Sequence, residues 1–107
     1  SAARKHDNVS RVGGEEFLLV CQDADQQTAL VVADRLRKLI KALRVELDND
    51  VIQMTASVGV ATREPAFPEA DDMVQGADKA LYAAKKAGRD RVCVFTQGKA
   101  LCARKDD

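Results

Sequence analysis

The spacing of the hydrophobic residues changes repeatedly along the chain, and this alternation limits the folds that are open to it. A continuous apolar run at residues 17–20 follows the dipeptide Gly13-Gly14. This pattern predicts a hairpin over residues 8–21, with a second strand that is covered on both faces. From about Asp25 the apolar positions recur every three or four residues, which predicts a long amphipathic helix with Asp25 as its N-cap.

The second half of the chain shows the same alternation. Residues 48–50 have the composition of a turn, which separates a short predicted strand at 45–47 from a longer one at 51–61. Apolar residues at helical spacing then predict a second helix over residues 71–87. Gly88 follows this helix, where a left-handed C-cap is expected.

A last strand is predicted over residues 91–95, and a polar, loose tail over residues 98–107. The predicted order of elements is therefore β-β-α-β-β-α-β. This order favours an α+β sandwich, in which helices pack on one face of a mostly antiparallel sheet.

Composition narrows the class of protein. A chain of 107 residues has room for one domain, and its 17 basic and 17 acidic residues argue against a general DNA or RNA binder. No apolar run approaches the roughly 20 residues that a membrane span needs. The cysteines, Cys21, Cys93 and Cys102, fit no disulfide framework or zinc motif, so we predict unpaired thiols in a reducing cytoplasm.

Residues 11–17 (RVGGEEF) contain the most informative side chains. Glu15 and Glu16 are adjacent carboxylates at the predicted hairpin tip, where they repel each other unless water or cations offset their charge. Bound Mg²⁺ would do so, because it favours a few carboxylates together with substrate phosphates. Gly13 and Gly14 leave room for a nucleotide to approach the backbone. Taken alone, an ordinary Gly-Gly turn with exposed glutamates explains the segment equally well.

Three segments together resemble the GGDEF, or diguanylate cyclase, domain family. Residues 11–17 resemble the loop that names the family, residues 54–61 (MTASVGVA) resemble its following central strand, and residues 77–89 (ADKALYAAKKAGR) resemble its ADxALYxAKxxGR helix. The segments occur in the family's order with helix-sized spacing. The resemblance implies a ferredoxin-like, nucleotidyl-cyclase palm-like domain over residues 1–97, truncated at its N-terminus.

The resemblance implies roles for the residues of the loop. Gly13 and Gly14 would pack against the nucleotide. Glu15 would bind Mg²⁺ or Mn²⁺ and would be a candidate base for the attacking 3′-hydroxyl. Glu16 would support the metal and phosphate site, and both glutamates are therefore the expected catalytic residues.

Lys85 and Arg89 match the cationic pair that holds the terminal phosphates of GTP in the family. Their four-residue spacing independently places them on one face of the second helix. The alternative is a solvated basic helix end that interacts with the helix dipole. Asp90, where Asn is commoner in the family, is a minor departure.

A second site is implied by Arg4 and Asp7. Many family members have an RxxD motif five residues before the glycine pair, where it binds cyclic di-GMP as a feedback inhibitor. Arg35 matches an arginine that assists this site in some relatives. Arginine holds phosphate or a guanine edge bidentately, and Asp accepts guanine N–H groups. Arg and Asp three residues apart also occur in ordinary surface turns.

The implied activity is the condensation of two GTP into cyclic di-GMP and pyrophosphate by a homodimer with product inhibition. The resemblance also implies a cytoplasmic domain that follows an upstream sensory domain in the parent protein. In some cases a missing N-terminal region would tether that parent protein to a membrane. The alternative is a non-catalytic regulatory module that binds cyclic di-GMP or GTP.

The sequence lacks the family's first strand, which provides a metal-binding Asp, and the stretch that recognises guanine. We therefore expect the chain to be inactive on its own. By family analogy the missing strand would lie between the strands at residues 16–21 and 51–61. Its loss is expected to leave two unpaired apolar edges, and so to favour self-association.

Overall fold

A computed structural model describes residues 7–22, 25–64 and 69–102. Along these residues the elements are β1 (Asp7–Arg11), β2 (Glu16–Cys21), α1 (Gln26–Ala42), β3 (Arg44–Leu47), β4 (Asp50–Gln53), β5 (Ser57–Thr62), α2 (Ala70–Lys86), β6 (Arg91–Thr96) and β7 (Lys99–Cys102). The strands form a five-stranded sheet in the order β1-β2-β5-β6-β7 and a separate β3-β4 hairpin. The predicted α+β class is confirmed. Among the helices described, none is long and apolar enough to cross a membrane.

The strand pairings are mixed. The β1-β2, β6-β7 and β3-β4 pairs are antiparallel, whereas β2-β5 and β5-β6 are parallel. Within the five-stranded sheet two pairs are antiparallel and two are parallel, and the parallel pairs lie at its centre, so this sheet is mixed rather than mostly antiparallel. Direct pairing of β2 with β5 means that the two unpaired apolar edges expected there are absent. Both strands are apolar and run in the same direction, so each satisfies the backbone of the other.

The helices pack on opposite faces of the sheet, so the prediction that they share one face is wrong. Leu19 of β2 lies in a buried cluster with Ala33 of α1. The neighbouring Leu18 points to the other face, in a cluster with Ala77 of α2. Because β2 is apolar at consecutive positions, both of its faces need cover, as the run at residues 17–20 predicted.

The ends of the helices agree with the sequence. Asp25 is the N-cap of α1, and its side chain accepts a hydrogen bond of 2.7 Å from the backbone N–H of Thr28. Helix α2 ends at Lys86, and Gly88 follows in the left-handed region with φ of 117°. Both capping predictions are confirmed.

Two predictions about strands are wrong. The single strand expected over residues 51–61 is divided into β4 and β5, which belong to different sheets and are separated by residues 54–56. The alternation of apolar residues continues through the break, so periodicity alone does not reveal it. Residues 99–102, expected in a loose tail, form β7 on β6.

The prediction of unpaired thiols is wrong for two of the three cysteines. Cys93 of β6 and Cys102 of β7 lie directly opposite each other and form a disulfide. The turn that brings them together has positive φ at Gln97 and Gly98, 50° and 78°. Cys21 is buried in the core and takes no part in the disulfide.

We expect the disulfide to hold β7 on the sheet. Closing a loop between cysteines nine residues apart contributes roughly 2 to 3 kcal/mol in the chain-entropy description. Cys102→Ser is expected to lower the free energy of unfolding in urea by about this amount under oxidising conditions. Under reducing conditions the variant and the unsubstituted chain should unfold alike, and a difference that persists there would contradict the expectation.

Gly59 lets α2 approach the sheet closely. A Cβ at this position would collide with the backbone of the helix, at the carbonyl oxygen of Ala77 and the amide nitrogen of Leu81. Backbone atoms inside a packed helix have little room to move away. The absence of a side chain at Gly59 therefore sets the distance between β5 and α2.

Gly59→Ala is expected to destabilise the fold by about 3 kcal/mol, because α2 would have to move away from the sheet. Gly14→Ala is the control, since a Cβ at Gly14 meets nothing within 4 Å and its φ is not positive. The midpoints of thermal unfolding of the two variants give the comparison. Equal midpoints would show that α2 moves without cost.

Candidate functional site

The loop of residues 12–15 joins β1 to β2 and is stabilised by local hydrogen bonds. The N–H of Val12 donates to the carbonyl oxygen of Glu16 at 2.9 Å. The guanidinium of Arg11 donates to the carbonyl oxygens of Gly13 and Gly14, at 3.1 and 2.9 Å. Arg11, for which the sequence pattern predicted no role, therefore holds the shape of the loop.

Glu15 is fixed against the residues that lead into β5. Its carbonyl oxygen accepts the N–H of Ser57 at 2.9 Å, which continues the β2-β5 ladder. Its carboxylate oxygen Oε1 accepts the N–H of Thr55 at 3.1 Å. The residue is exposed, so its carboxylate is oriented and open to solvent.

Glu16 connects the loop to the end of α2. Its Oε1 lies 3.3 Å from Nζ of Lys85, and its Oε2 lies 3.5 Å from Nη1 of Arg89. The side chains are 24%, 33% and 53% exposed, respectively, so these ion pairs contribute little to stability and can exchange partners. The structure therefore brings Glu16, one of the two predicted carboxylates, together with both predicted cations.

The two glycines have different surroundings. A Cβ at Gly13 would lie 3.0 Å from both Cδ and Oε1 of Glu16. Its missing side chain therefore makes room for the carboxylate that contacts Lys85 and Arg89. Around Gly14 the space is open, and its approach to a nucleotide stays a prediction.

Arg89 lies in an unusual turn between α2 and β6. Gly88, Arg89 and Asp90 have consecutive positive φ values of 117°, 63° and 49°. For a residue with a Cβ, this conformation costs roughly 1 to 2 kcal/mol. The N–H of Arg89 donates to the carbonyl oxygen of Ala84 at 2.9 Å, and its own carbonyl oxygen accepts Nε of Arg91 at 3.0 Å.

Asp90 is 5% exposed and is held by two cations of α1. Its Oδ1 lies 2.9 Å from Nη1 of Arg37, and its Oδ2 lies 2.7 Å from Nζ of Lys41. Burial acts to raise the pKa of this carboxyl, but the hydrogen bonds from Lys41 and Arg37 outweigh it and hold the pKa below its usual value.

Arg37 also contacts Asp34, which lies one turn earlier on α1. Nη2 of Arg37 is 3.0 Å from Oδ1 of Asp34, and Nζ of Lys38 is 3.1 Å from Oδ2. Burial raises the pKa of Asp34 as well, and the hydrogen bonds from Lys38 and Arg37 more than offset this, so that it too is lowered. The cluster of Asp34, Arg37 and Asp90 was not predicted from the sequence. The helical spacing could have indicated that Arg37 is buried, because Arg37 follows Ala29 and Ala33 at four-residue steps on the buried face of α1.

The acidic residues near the loop are few. In the part of the chain that the structure describes, no group of three or more His, Cys, Asp or Glu side chains is arranged to hold a metal ion. Mg²⁺ is commonly held by one or two carboxylates together with substrate phosphates. The exposed, oriented carboxylate of Glu15 fits that donor set, and the carboxylate of Glu16 would fit it once released from Lys85 and Arg89.

The expected inhibitor site is only partly described. Arg4 lies outside the described residues, and Asp7 is the first residue of β1, opposite Cys21. Arg35 is exposed on α1, where it lines an open cavity of about 600 Å³ with Leu30 and Leu39. The grouping of Arg4, Asp7 and Arg35 stays a prediction.

The chain is similar in sequence to known proteins. The sequence model of the family "Diguanylate cyclase, GGDEF domain" matches residues 1–91. Diguanylate cyclase A of Treponema denticola is 37% identical over 92 residues, which are 86% of this chain and 25% of that protein. Diguanylate cyclase DosC of Escherichia coli K12 is 36% identical over 90 residues, which are 83% of this chain and 19% of that protein. The chain thus spans a quarter or less of these two relatives.

A solved structure shares the fold. The GGDEF domain of DgcB from Caulobacter crescentus, crystallised in complex with c-di-GMP, superposes with a TM-score of 0.70 and 26% sequence identity. The match covers 88% of this chain and 56% of that one. Because the family model matches most of the length of this chain, the chain belongs to the GGDEF domain family of diguanylate cyclases.

Proposed function

We propose that this chain is the part of a diguanylate cyclase that holds the triphosphate and the attacking hydroxyl of GTP. The observation that carries the proposal is the contact of Glu16 with both Lys85 and Arg89, at 3.3 and 3.5 Å, beside the oriented carboxylate of Glu15. Cations suited to phosphate and carboxylates suited to a metal thus meet at one edge of the sheet.

Lys85 and Arg89 would bind the terminal phosphates of GTP. In the present structure Glu16 occupies both cations, and the partial exposure of the three side chains allows a phosphate to replace it. A phosphate carries more negative charge than a carboxylate, and arginine can hold it bidentately. Release of Glu16 from these cations would make its carboxylate available on the side of Glu15.

Glu15 would act as the base for the 3′-hydroxyl and, with Glu16, hold Mg²⁺ or Mn²⁺. When bound, such an ion supplies neutralisation of phosphate charge. The Thr55 N–H donates to Oε1 of Glu15 and so fixes the direction of the carboxylate. A general base needs a fixed position within hydrogen-bond reach of the proton that it removes.

The reaction joins two GTP molecules, and this requires two domains. Each 3′-hydroxyl oxygen would form a bond to the α-phosphorus of the other GTP, while the bond to the pyrophosphate leaving group breaks. A homodimer therefore follows from the chemistry. The family resemblance implies a metal-binding Asp and guanine-recognising residues that these 107 residues do not include, and we therefore expect the 107-residue chain alone to lack turnover. A cytoplasmic location and an upstream sensory domain are further predictions of the resemblance.

A second candidate function is cyclic di-GMP binding without turnover. The observation that favours it is the similarity in fold to a GGDEF domain that was crystallised with c-di-GMP. In this chain the ligand would bind Arg4, Asp7 and Arg35, either as a feedback inhibitor of the cyclase or as the signal of a regulatory module.

Glu15→Gln tests the enzymatic proposal in a version of the protein extended upstream by roughly sixty residues to a normal domain length. Loss of the base is expected to lower the rate of cyclic di-GMP formation from GTP and Mg²⁺ by about a hundredfold or more. Glu46→Gln, an identical change on the exposed strand β3, is the control and should leave the rate unchanged. An unaltered rate in Glu15→Gln would remove Glu15 from the mechanism.

Arg4→Ala and Arg35→Ala test the cyclic di-GMP site by titration calorimetry. Each loses charge-assisted hydrogen bonds and is expected to weaken binding by about tenfold or more. Arg44→Ala, on exposed β3, is the matched control. If Arg4→Ala and Arg35→Ala bind cyclic di-GMP as tightly as the control Arg44→Ala, the ligand does not use Arg4 or Arg35. Weakened binding together with no turnover in the extended protein would favour the regulatory module.

A further inference from the structure

We propose that Arg37 is a positioning residue for Arg89 and acts through the buried carboxylate of Asp90. This inference deepens the proposed function and rests on it, because it concerns how Arg89 is held where GTP phosphates would bind. Arg37 belongs to α1, where it pairs with Asp34 and reaches Asp90. Its effect would pass through the turn between α2 and β6.

The backbone of this turn needs an external anchor. Arg89 and Asp90 both have a Cβ, yet their φ values are 63° and 49°. Two consecutive residues in the left-handed region are unfavourable unless the surroundings hold them there. Strain of this kind at a residue that faces a candidate substrate site is a reason to look for a functional constraint.

Asp90 provides the anchor. Its side chain is 7% exposed, and each of its carboxylate oxygens pairs with a different cation of α1, Oδ1 with Arg37 and Oδ2 with Lys41. A buried carboxylate held at both oxygens cannot rotate away without losing charge-assisted hydrogen bonds. The backbone of residue 90 is thereby fixed, and with it the direction in which Arg89 leaves the turn.

Arg37, which holds Asp90, is itself held by Asp34 on the same helix. The guanidinium of Arg37 directs Nη1 to Asp90, and Nε and Nη2 to Oδ1 of Asp34, both at 3.0 Å. A planar guanidinium can serve two carboxylates in fixed directions, which a lysine ammonium cannot. Arg37 therefore has one orientation, set on its own helix, from which it holds Asp90.

A chain of contacts thus runs from α1 to the candidate phosphate site. Arg37 holds Asp90, Asp90 fixes the turn, and the next residue, Arg89, reaches Glu16 at 3.5 Å. A purely structural role, in which the cluster only joins α1 to the sheet, would also need Arg37. The two roles differ in whether the effect of Arg37 on GTP binding depends on Arg89.

A double-mutant cycle distinguishes the two roles. The dissociation constant of GTP with Mg²⁺ is measured by calorimetry in the whole protein that contains this chain, for Arg37→Met, Arg89→Ala and the double variant. Arg89→Ala is expected to weaken binding by about tenfold to a hundredfold, and Arg37→Met by about fivefold. In the Arg89→Ala background, Arg37→Met should have no further effect beyond about twofold.

Two further variants protect the test against simple unfolding. Asp90→Gly removes the anchor but suits a positive φ, and Arg37 keeps Asp34 as a partner, so the fold should persist while GTP binding weakens as in Arg37→Met. Asp90→Asn keeps an oxygen acceptor for Arg37, but its NH2 group cannot accept a hydrogen bond from Lys41, so it is expected to weaken GTP binding less than Asp90→Gly does. Lys38→Met is the matched control, because Lys38 pairs with Asp34 and its side chain is 60% exposed.

The outcomes separate this inference from the proposed function. If Arg89→Ala leaves GTP affinity unchanged, the proposed phosphate site is wrong. If Arg89→Ala weakens GTP but Arg37→Met and Asp90→Gly do not, or if Arg37→Met weakens binding equally in both backgrounds, the positioning role alone is overturned. A readout without GTP is the side-chain Nε–Hε resonance of Arg89, which should shift in Arg37→Met and not in Lys38→Met. An unshifted resonance would also overturn the positioning role.

Discussion

The parallel register of β2, β5 and β6 is the constraint on which the rest of the candidate site depends. Glu16 pairs with Ser57, and Ser57 pairs with Arg91, so the three strands begin at the same edge of the sheet. Residues that immediately precede these strands must therefore meet at this edge. Glu16 is the first residue of β2 and Arg89 lies just before β6, which is why these two residues, 73 positions apart in the sequence, become neighbours.

The second constraint is the close packing of α2, since that helix delivers Lys85. Small residues on its buried face, among them Ala77, Ala80 and Ala84, lie against the sheet, and Gly59 has no side chain to hold the helix away. The helix axis is thus fixed by contacts that carry no charge. The cations at its end are held mainly by partly exposed Glu16, so they can exchange a carboxylate for a phosphate with little effect on the fold.

Sequence reasoning was most successful where one residue type has one physical reason to be present. The resemblance of the GGEEF loop and of the helix with Lys85 and Arg89 to the family implied that carboxylates and cations serve one nucleotide, and in the structure Glu16 contacts both cations. Asp25 and Gly88 were predicted as caps because few residues satisfy those backbone positions. Signals of this kind are local and survive in a single sequence.

The features that the sequence did not reveal depend on partners distant in the chain. The division of the strand at residues 54–56 and the disulfide of Cys93 with Cys102 arise from which strands become neighbours, and hydrophobic periodicity does not encode that choice. The same is true of Arg37 and Asp90, whose side chains lie 53 residues apart. In the sequence alone, Arg37 is one of several basic residues of a predicted helix, and Asp90 is a small departure from the family motif.

The negative charge of Asp90 also determines the pH range in which its ion pairs stabilise the turn. Since the hydrogen bonds from Lys41 and Arg37 lower the pKa of Asp90 in the folded chain, its ionised form is favoured by folding. The resulting stabilisation is present at pH values above the usual Asp pKa of about 3.9 and is lost as the pH falls through the lower pKa of the folded state. At neutral pH the carboxylate therefore stays charged. A turn held in this way can keep Arg89 in place while Arg89 itself exchanges Glu16 for a phosphate, because the bonds that fix the backbone are separate from those that hold the ligand.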